Sequence, residues 1–299
     1  MNKQERIEHY IITRFSISTG RKDFNGDLTK LFDKHRLETR FLIFETFCLP
    51  SILGQTSKDF IWIIFVDPSL SKHYLNRLKN LVKGYSMIHV IKYSPNIDLN
   101  SVNFIDRQIG KISTKYVITT RLDDDDALSS GFIKKIQQDC QEFKNRDLLF
   151  ISYPKGLHWR PDKKEKYGVF SDTYYKSIAL GLSLVTIKDK YPLTVYGWNH
   201  VKIVSLLDEC KNNPKSNLYK LAKASGDKIK NWNIKKRLKI IKTKDNVYLR
   251  TVHGENDAAK IISQRFFNKI NKKANLSRFS LNPKKVAVAN RILASKYLD

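Results

Sequence analysis

The sequence predicts an α/β fold in which a mostly parallel central sheet is flanked by helices. Over the first 150 residues, short apolar segments alternate with segments of helical periodicity, a pattern typical of right-handed β-α-β units. The composition of the 299 residues, 41% hydrophobic and 11% aromatic, is that of a globular protein. Ligands of such sheets bind beyond the carboxyl ends of the strands, so functional residues are expected there.

The individual elements follow from local periodicity. Five segments have the apolar character of buried strands: residues 10–15, 60–67, 87–93, 116–121 and 148–153. Four segments between them have helical spacing: residues 37–55, 72–82, 101–112 and 131–143. Ser129 and Ser130 are suitable caps for the last of these helices. Beyond residue 153 the pattern is less regular, with a Tyr/Trp-rich stretch to about Trp198 and one further helix expected over residues 200–210.

Positive charge is concentrated at the C-terminal end of the chain. Residues 211–299 contain 23 Lys and Arg against five Asp and Glu, a net +18 of the total +26. Such a surface attracts polyanions, whether nucleic acid, anionic lipid or anionic glycan, without choosing among them. In segments 231–241 and 258–273, bulky apolar residues interleave with Lys and Arg. This pattern fits peripheral contact with an anionic membrane, or an ordinary helix that packs its apolar face inward.

The sequence favours a cytoplasmic protein. The first ten residues are polar and charged, unlike a secretory signal, and the apolar stretches 60–66 and 177–187 are shorter than the roughly 20 residues that a bilayer requires. The three cysteines, Cys48, Cys140 and Cys210, are widely spaced and odd in number. They therefore form neither a disulfide framework nor a zinc motif.

The acidic run of residues 123–126 directly follows the β-rich segment VITTR. Four successive carboxylates repel one another unless a cation or water offsets the repulsion. In extended backbone, Asp123 and Asp125 would share one face and Asp124 and Asp126 the other. Paired carboxylates together with a diphosphate suit Mg²⁺ or Mn²⁺. The alternative is a solvated acidic turn, with Asp126 near the start of the following helix.

Four segments carry a resemblance to a known family. They are ITRF (12–15), RFLIFETFCLPSILGQT (40–56), FIWIIFVDPSL (60–70) and ITTRLDDDDALSSGFI (118–133). In order and spacing they resemble the rhamnosyltransferase family of GT-A glycosyltransferases over roughly the first 200 residues, and LDDDDAL resembles the DxD motif. The resemblance implies a Rossmann-like GT-A domain over residues 1–210, with a nucleotide-sugar part to about 153 and an acceptor part over 154–210. A basic, mainly helical extension over 211–299 would complete the site around residue 253.

The resemblance also implies site residues. Those expected to bind the donor are Arg14, Asp67, Arg121, Asp123 and Asp124. Those expected to hold Mn²⁺ or Mg²⁺ are Asp123, Asp125 and His253. Each has a structural alternative: Asp67 could form the turn before Pro68, the arginines could form structural ion pairs, and His253 could lie in a surface turn.

The resemblance implies an enzyme that transfers a sugar, rhamnose if the family name holds, from a nucleotide sugar to a glycan or lipid-linked acceptor. The transfer would depend on a metal ion and would invert the configuration at the anomeric carbon. A general base is then needed, and His200 is the candidate because imidazole titrates near neutrality and Trp198 suits a sugar-facing surface. Asp172 and Glu255 are alternatives, and His200 could instead cap a helix or lie in the core.

Other classes of protein fit parts of the pattern. A nucleic-acid-binding protein or metal-dependent nuclease would use the basic surface and the acidic run, but no nucleic-acid module is recognisable and the charge lies away from that run. A nucleotidyltransferase would need a glycine-rich phosphate loop that the N-terminal sequence lacks. A binding protein without catalytic activity is the third alternative.

Overall fold

The computed structural model describes residues 6–18, 28–142, 147–176, 178–198, 203, 213–215, 219–220, 223, 237–253, 270–271 and 274–298. Within these ranges the α/β class and the mostly parallel central sheet expected from the sequence are confirmed. The helix expected over 200–210 and most of segments 231–241 and 258–273 lie outside the described residues.

The described chain contains eleven strands in two sheets. They are β1 (Ile7–Phe15), β2 (Ile61–Val66), β3 (Ile88–Lys92), β4 (Tyr116–Arg121), β5 (Ala127–Leu128), β6 (Leu148–Ser152), β7 (Lys155–Arg160), β8 (Val169–Tyr174), β9 (Ser183–Ile187), β10 (Leu238–Ile240) and β11 (Tyr248–Thr251). The large sheet has the order β10-β6-β9-β4-β1-β2-β3 and the small sheet the order β5-β11-β7-β8. All five strands that local periodicity predicts belong to the large sheet.

The large sheet is mixed, because β9 is inserted antiparallel between β4 and β6. The other pairs in this sheet are parallel. Strand β9 comes from the apolar stretch 177–187, whose sequence does not reveal its partners. The C-terminal region contributes β10 to the large sheet and β11 to the small one, so it is built into both sheets as well as ending in a helix.

The helices in the described ranges flank these sheets. They are α1 (Leu28–Leu31), α2 (Lys34–Ile43), α3 (Leu49–Leu53), α4 (Lys72–Leu81), α5 (Asn103–Gln108), α6 (Phe132–Glu142) and α7 (Pro283–Tyr297). A π-helical segment, Phe44–Cys48, joins α2 to α3. It immediately precedes α3, where Pro50 has no N–H for the normal helical hydrogen bond. Asp33 caps α2, and Asn282 caps α7 ahead of Pro283, so both starts follow known capping preferences.

The two faces of the large sheet bury alternate residues of β1. Ile11 and Phe15 belong to the cluster beneath α2 and α6, whereas Tyr10 and Ile12 belong to the cluster around α5. The small sheet packs against α7 through a third cluster, in which Trp159 is fully buried. No helix among the described residues combines the length and apolar character that crossing a bilayer requires.

A buried histidine predicts how stability depends on pH. His9 Nε2 lies 2.7 Å from Thr120 Oγ1, which in turn lies 2.7 Å from Ser183 Oγ, so the chain of polar groups joins β1, β4 and β9. Burial lowers the pKa of His9 to about 3. The unfolded imidazole titrates near pH ~6.5, so the unfolded state binds more protons between these two values. Stability from His9 is therefore full above pH ~6.5 and is lost as the pH falls towards 3.

Below pH ~6.5, we expect His9 to lower the free energy of unfolding by about 1.4 kcal/mol for each pH unit. Urea unfolding at pH 7 and pH 5 measures this slope. His9→Gln should flatten it, while the same change at exposed His73 should leave it as in the wild type. Equal slopes for the wild type and His9→Gln would contradict the assignment. Burial also lowers the pKa of His158, to about 4, so part of the slope should remain in the variant.

Candidate active site

Three neighbouring parallel strands bring side chains predicted for the site to one edge of the large sheet. Strands β2, β1 and β4 are adjacent, so their carboxyl ends lie together. Arg121 is the last residue of β4 and is in register with Ile12, which places Arg14 two residues further along β1. Asp67 directly follows β2. The sequence prediction that these residues share an edge is consistent with the strand register.

The acidic run forms a turn, and the predicted alternation of its carboxylates is wrong. The Asp126 backbone N–H donates to the Asp123 carbonyl at 3.2 Å, closing a reverse turn between β4 and β5. Extended backbone would have placed Asp123 and Asp125 on one face, whereas the turn directs the side chains to different partners. Asp123 remains partly exposed and pairs with Arg121, whose guanidinium nitrogens lie 3.3 and 3.4 Å from its carboxylate oxygens.

Asp124 anchors this turn to α2. Arg40 Nε donates to Asp124 Oδ2 at 3.0 Å, and a second guanidinium nitrogen bonds Asp124 Oδ1. The two side chains are only 5% and 2% exposed. This two-pronged pairing occupies both carboxylate oxygens in the interior. Arg40 thus engages both carboxylate oxygens of Asp124, and the donor contact expected for Asp124 stays a prediction.

Strand β11 brings His253 to Asp125. The Thr251 backbone N–H donates to Asp126 Oδ1 at 3.0 Å, and Thr251 Oγ1 donates to the Asp125 carbonyl at 2.7 Å. With the end of β11 tied to the acidic turn, His253 Nε2 lies 3.4 Å from Asp125 Oδ2. Two residues that are remote in sequence thus become neighbours. His253 is buried, which excludes the surface-turn alternative.

The pKa values of the adjacent residues Asp125 and Asp126 are shifted in opposite directions. Burial alone would raise the pKa of Asp125, but the adjacent His253 imidazole and the charge of Arg40, 3.8 Å away, hold the pKa below its usual range. Burial and the neighbouring Asp125 charge raise the pKa of Asp126 well above its usual range. Asp125 is therefore ionised near neutral pH.

Tyr196 lies between the two arginines of the edge. The guanidinium carbons of Arg14 and Arg121 are 5.1 and 5.3 Å from the centre of its ring, within cation–π range. Its hydroxyl donates to the Ile12 carbonyl at 3.1 Å. Burial raises the pKa of Tyr196 to about 12, so this hydroxyl stays protonated. Asp123 holds the pKa of Arg121 above its usual value although burial would lower it.

Tyr196 is not among the site residues that the sequence predicts, although it lies two residues from Trp198. The expectation that Trp198 faces a sugar is wrong, because Trp198 is only 9% exposed and packs edge-on against Phe150 at 5.0 Å between ring centres. Aromatic residues alternate with small residues in this segment, and only the three-dimensional position shows which one meets the site. The proximity of Tyr196 to two cations could not be read from local sequence.

Asp67 is buried at the edge, and three hydrogen bonds fix its carboxylate. Ser18 donates to Oδ2 through its backbone N–H at 3.0 Å and its hydroxyl at 2.7 Å, and the Ser69 N–H donates to Oδ1 at 2.9 Å. Asp67 thus joins the loop after β1 to the turn after β2. The turn-forming alternative is consistent with these bonds, and contact with a donor stays a prediction.

The remaining base candidates lie elsewhere. His200 and Glu255 lie outside the described residues. Asp172 is exposed on β8, the outer strand of the small sheet, where it accepts hydrogen bonds from Asn246 at 3.1 Å and Asn271 at 3.0 Å. It is not among the residues gathered around the acidic turn.

The donor atoms at the acidic turn fit a partial metal site. The part of the chain that the structure describes holds no group of three or more His, Cys, Asp or Glu side chains placed to bind a metal ion. Asp125 and His253 nevertheless present a carboxylate oxygen and an imidazole nitrogen to each other. Mg²⁺ in proteins commonly has one or two carboxylate ligands and completes its shell with water and substrate phosphate. The pair fits such a shared site, whereas Asp123 pairs separately with Arg121.

Comparison with known families decides where the chain belongs. Residues 8–230 match the family model described as "Putative rhamnosyl transferase". The chain belongs to this family. The matched segment includes Arg14, Asp67, the acidic run and Tyr196, whereas His253 lies beyond it. No curated protein matches the chain in sequence at a significant level.

Solved structures show more distant likenesses. S. aureus TarS 1–349 in complex with UDP-GlcNAc matches at 13% identity with a TM-score of 0.39, covering 86% of this chain and 61% of that one. The same TarS chain with UDP matches at 12% identity with a TM-score of 0.36, covering 82% of this chain and 61% of that one. A "Putative Glucose-1-Phosphate Thymidylyltransferase" from Bacillus anthracis matches at 9% identity with a TM-score of 0.34, covering 92% of this chain and 99% of that one. The chain thus spans about three fifths of the TarS chain, and TM-scores this low assign no substrate or residue role.

Proposed function

We propose that the protein is a glycosyltransferase that moves a sugar from a nucleoside-diphosphate donor to a hydroxyl acceptor. The family match over residues 8–230 is the observation that carries this proposal. The geometry supports it, since Arg14, Arg121 and the Asp125–His253 pair lie around the carboxyl edge where α/β folds bind ligands. Following the family description, we propose rhamnose as the sugar, with inversion and a glycan or lipid-linked acceptor.

The chemistry requires charge stabilisation at the departing diphosphate. When the bond between the anomeric carbon and the phosphate oxygen breaks, negative charge grows on that oxygen. In this proposal Arg14 and Arg121 donate charge-assisted hydrogen bonds to the diphosphate. The Tyr196 ring contacts both guanidinium groups, and Asp123 pairs with Arg121. The arrangement is formed before the donor arrives, which lowers the reorganisation needed during the reaction.

We further propose that Asp125 and His253 hold Mn²⁺ or Mg²⁺ together with donor phosphate oxygens. A bound cation would supply Lewis-acid stabilisation of the leaving diphosphate. The ionised state of Asp125 and the neighbouring imidazole nitrogen suit this role. His200 stays the proposed general base for the acceptor hydroxyl. It lies outside the described residues, so this assignment depends on the sequence alone.

The direct test is release of nucleoside diphosphate from a panel of nucleotide sugars, including activated rhamnose, with Mn²⁺ or Mg²⁺ and with the chelator EDTA. We expect metal-dependent release from one donor, increased by a glycan acceptor. Release of nucleoside diphosphate that persists in EDTA would contradict the proposed metal dependence but would still support a glycosyltransferase. Absence of both release and donor binding across the panel would overturn the proposed function.

The ring of Tyr196 provides a sharper test of the arginine pair. We expect Tyr196→Leu to weaken donor binding about 10-fold, because two cation–π contacts of about 0.5–1 kcal/mol or more are lost. Tyr196→Phe should stay within about 3-fold, since it keeps the ring and loses the hydrogen bond to the Ile12 carbonyl. Isothermal titration of wild type and both variants with the donor measures this. Equal losses of donor affinity in Tyr196→Leu and Tyr196→Phe would show that the hydroxyl, and not the ring, supports donor binding.

A further inference from the structure

A basic groove runs along the outer face of α7. It is bounded by the loop between β7 and β8, which carries Lys163, Lys164 and Lys166, and by Arg291 on the helix. Its volume is about 600 Å³. A second cavity of about 540 Å³ continues past Lys166 to Lys284 at the start of α7. We refer to these residues together as the basic groove.

The surface around the basic groove combines positive charge with exposed aliphatic side chains. Residues 283–298 contain no Asp or Glu. Val288 and Ile292, one helical turn apart, are 43% and 44% exposed. Tyr167, at the edge of the loop, is 37% exposed. Apolar residues thus stand outward from a helix face whose flanks are basic.

Two acidic residues offset part of this charge. Asp162 and Glu165 also line the groove, but Asp162 Oδ1 accepts hydrogen bonds from the backbone N–H groups of Lys164 and Glu165, at 2.8 and 3.1 Å. That carboxylate therefore shapes the loop. The net charge of the basic groove stays positive, because its five Lys and Arg side chains, Lys284 included, outnumber two carboxylates.

The loop and the helix are fixed to each other. Asn290, only 4% exposed, accepts from the Asp162 N–H at 2.8 Å and donates to the carbonyls of Asp162 at 3.0 Å and Glu165 at 2.7 Å. These bonds satisfy the carboxamide and hold the loop on α7. The surface is therefore preformed, and little ordering is needed when it meets a partner.

We propose that the basic groove and the exposed face of α7 dock onto an anionic lipid bilayer. Lys164, Lys166 and Arg291 would contact lipid phosphates, while Val288 and Ile292 would enter the boundary between headgroups and acyl chains. Interfacial helices join basic flanks to a protruding apolar face in this way, whereas nucleic-acid surfaces rely on charge with stacking or polar groups. This inference does not depend on the proposed reaction.

The basic groove lies at the end of the small sheet that is nearest the acidic turn. Strands β7 and β11 are parallel, with Trp159 in register with Thr251. The loop of the basic groove therefore leaves the small sheet at the same end from which the chain continues to His253. A bilayer docked there would lie at the end of the small sheet that contributes to the candidate site.

The test is flotation of the full chain with vesicles of phosphatidylcholine alone or with added phosphatidylglycerol. We expect binding only to the anionic vesicles. The triple change Lys164→Glu, Lys166→Glu and Arg291→Glu should weaken binding about 100-fold or more, at about 1 kcal/mol per basic residue. The matched control is Lys72→Glu, Lys79→Glu and Lys83→Glu on and just after α4, whose side chains are exposed. It makes the same change in net charge and should bind like the wild type.

A second variant separates lipid insertion from charge. Val288→Ser with Ile292→Ser keeps every charge and should weaken vesicle binding about 10-fold, because buried apolar area is lost. The proposal is overturned if the wild type binds neutral vesicles equally well, or if it binds duplex nucleic acid but no vesicles. It is also overturned if the α4 control loses as much binding as the groove variant. Thermal unfolding midpoints of all variants should match that of the wild type.

Discussion

Replacing Arg40 with methionine is expected to lower the free energy of unfolding by about 3–5 kcal/mol. Arg40 and Asp124 form a two-pronged ion pair in which the side chains are 5% and 2% exposed. Methionine fills similar volume but leaves the Asp124 carboxylate buried without its cation. Burial already raises the pKa of Asp124, and the loss of Arg40 would raise it further. Urea unfolding at pH 7 measures the change.

Arg77 offers a matched control. It bonds Glu38 and Glu45, each at 2.8 Å, but its side chain is 31% exposed. Arg77→Met should therefore lower the free energy of unfolding by less, about 1 kcal/mol, because solvent screens exposed ion pairs. The double change of Arg40→Met with Asp124→Asn should recover part of the loss, since the buried charge is removed as well. A cost for Arg40→Met no larger than that for Arg77→Met would contradict the structural role of this pair.

Changing Asp125 to asparagine is expected to lower nucleoside-diphosphate release by about 10²–10³-fold, the usual effect of removing one preorganised electrostatic group. The pKa of Asp125 is held below its usual range, so the substitution removes a full negative charge beside His253. The same change should weaken Mn²⁺ binding to the protein–donor complex. Initial rates and Mn²⁺ titration followed by electron paramagnetic resonance measure the two effects separately.

The neighbouring residue provides the control for this substitution. Burial and the Asp125 charge raise the pKa of Asp126, so a negative charge is disfavoured there, and asparagine has nearly the same shape as the carboxyl group. Asp126→Asn can still accept the hydrogen bond from the Thr251 N–H, so turnover should change by less than about 3-fold. If both variants lose activity equally, the turn as a whole matters rather than the charge of Asp125. If neither does, the acidic run is structural.

The local sequence determined much of the large sheet. Strands β1, β2, β3, β4 and β6 each correspond to a predicted apolar segment. Inner strands such as β2, which are covered on both faces, need continuous apolar runs such as IWIIFV. Helix α4 begins at the predicted residue for a similar reason, since its apolar residues repeat at 3.6-residue spacing. The order of these elements also indicated the edge that carries Arg14, Asp67 and Arg121. Periodicity and alternation are local properties, so they can be read without knowing the fold.

The partners of the site residues were decided only by the tertiary structure. The turn at Asp123–Asp126 sends Asp124 to Arg40 on α2, and the end of β11 brings His253 to Asp125. The small sheet and the antiparallel insertion of β9 were likewise not readable from the sequence. A residue's type shows which contacts it can make, but its partner depends on how distant segments pack. For that reason the fold class and the edge of the site could be predicted from local sequence, whereas packing between distant segments determined that Asp124 pairs with Arg40 and that Asp125 lies beside His253.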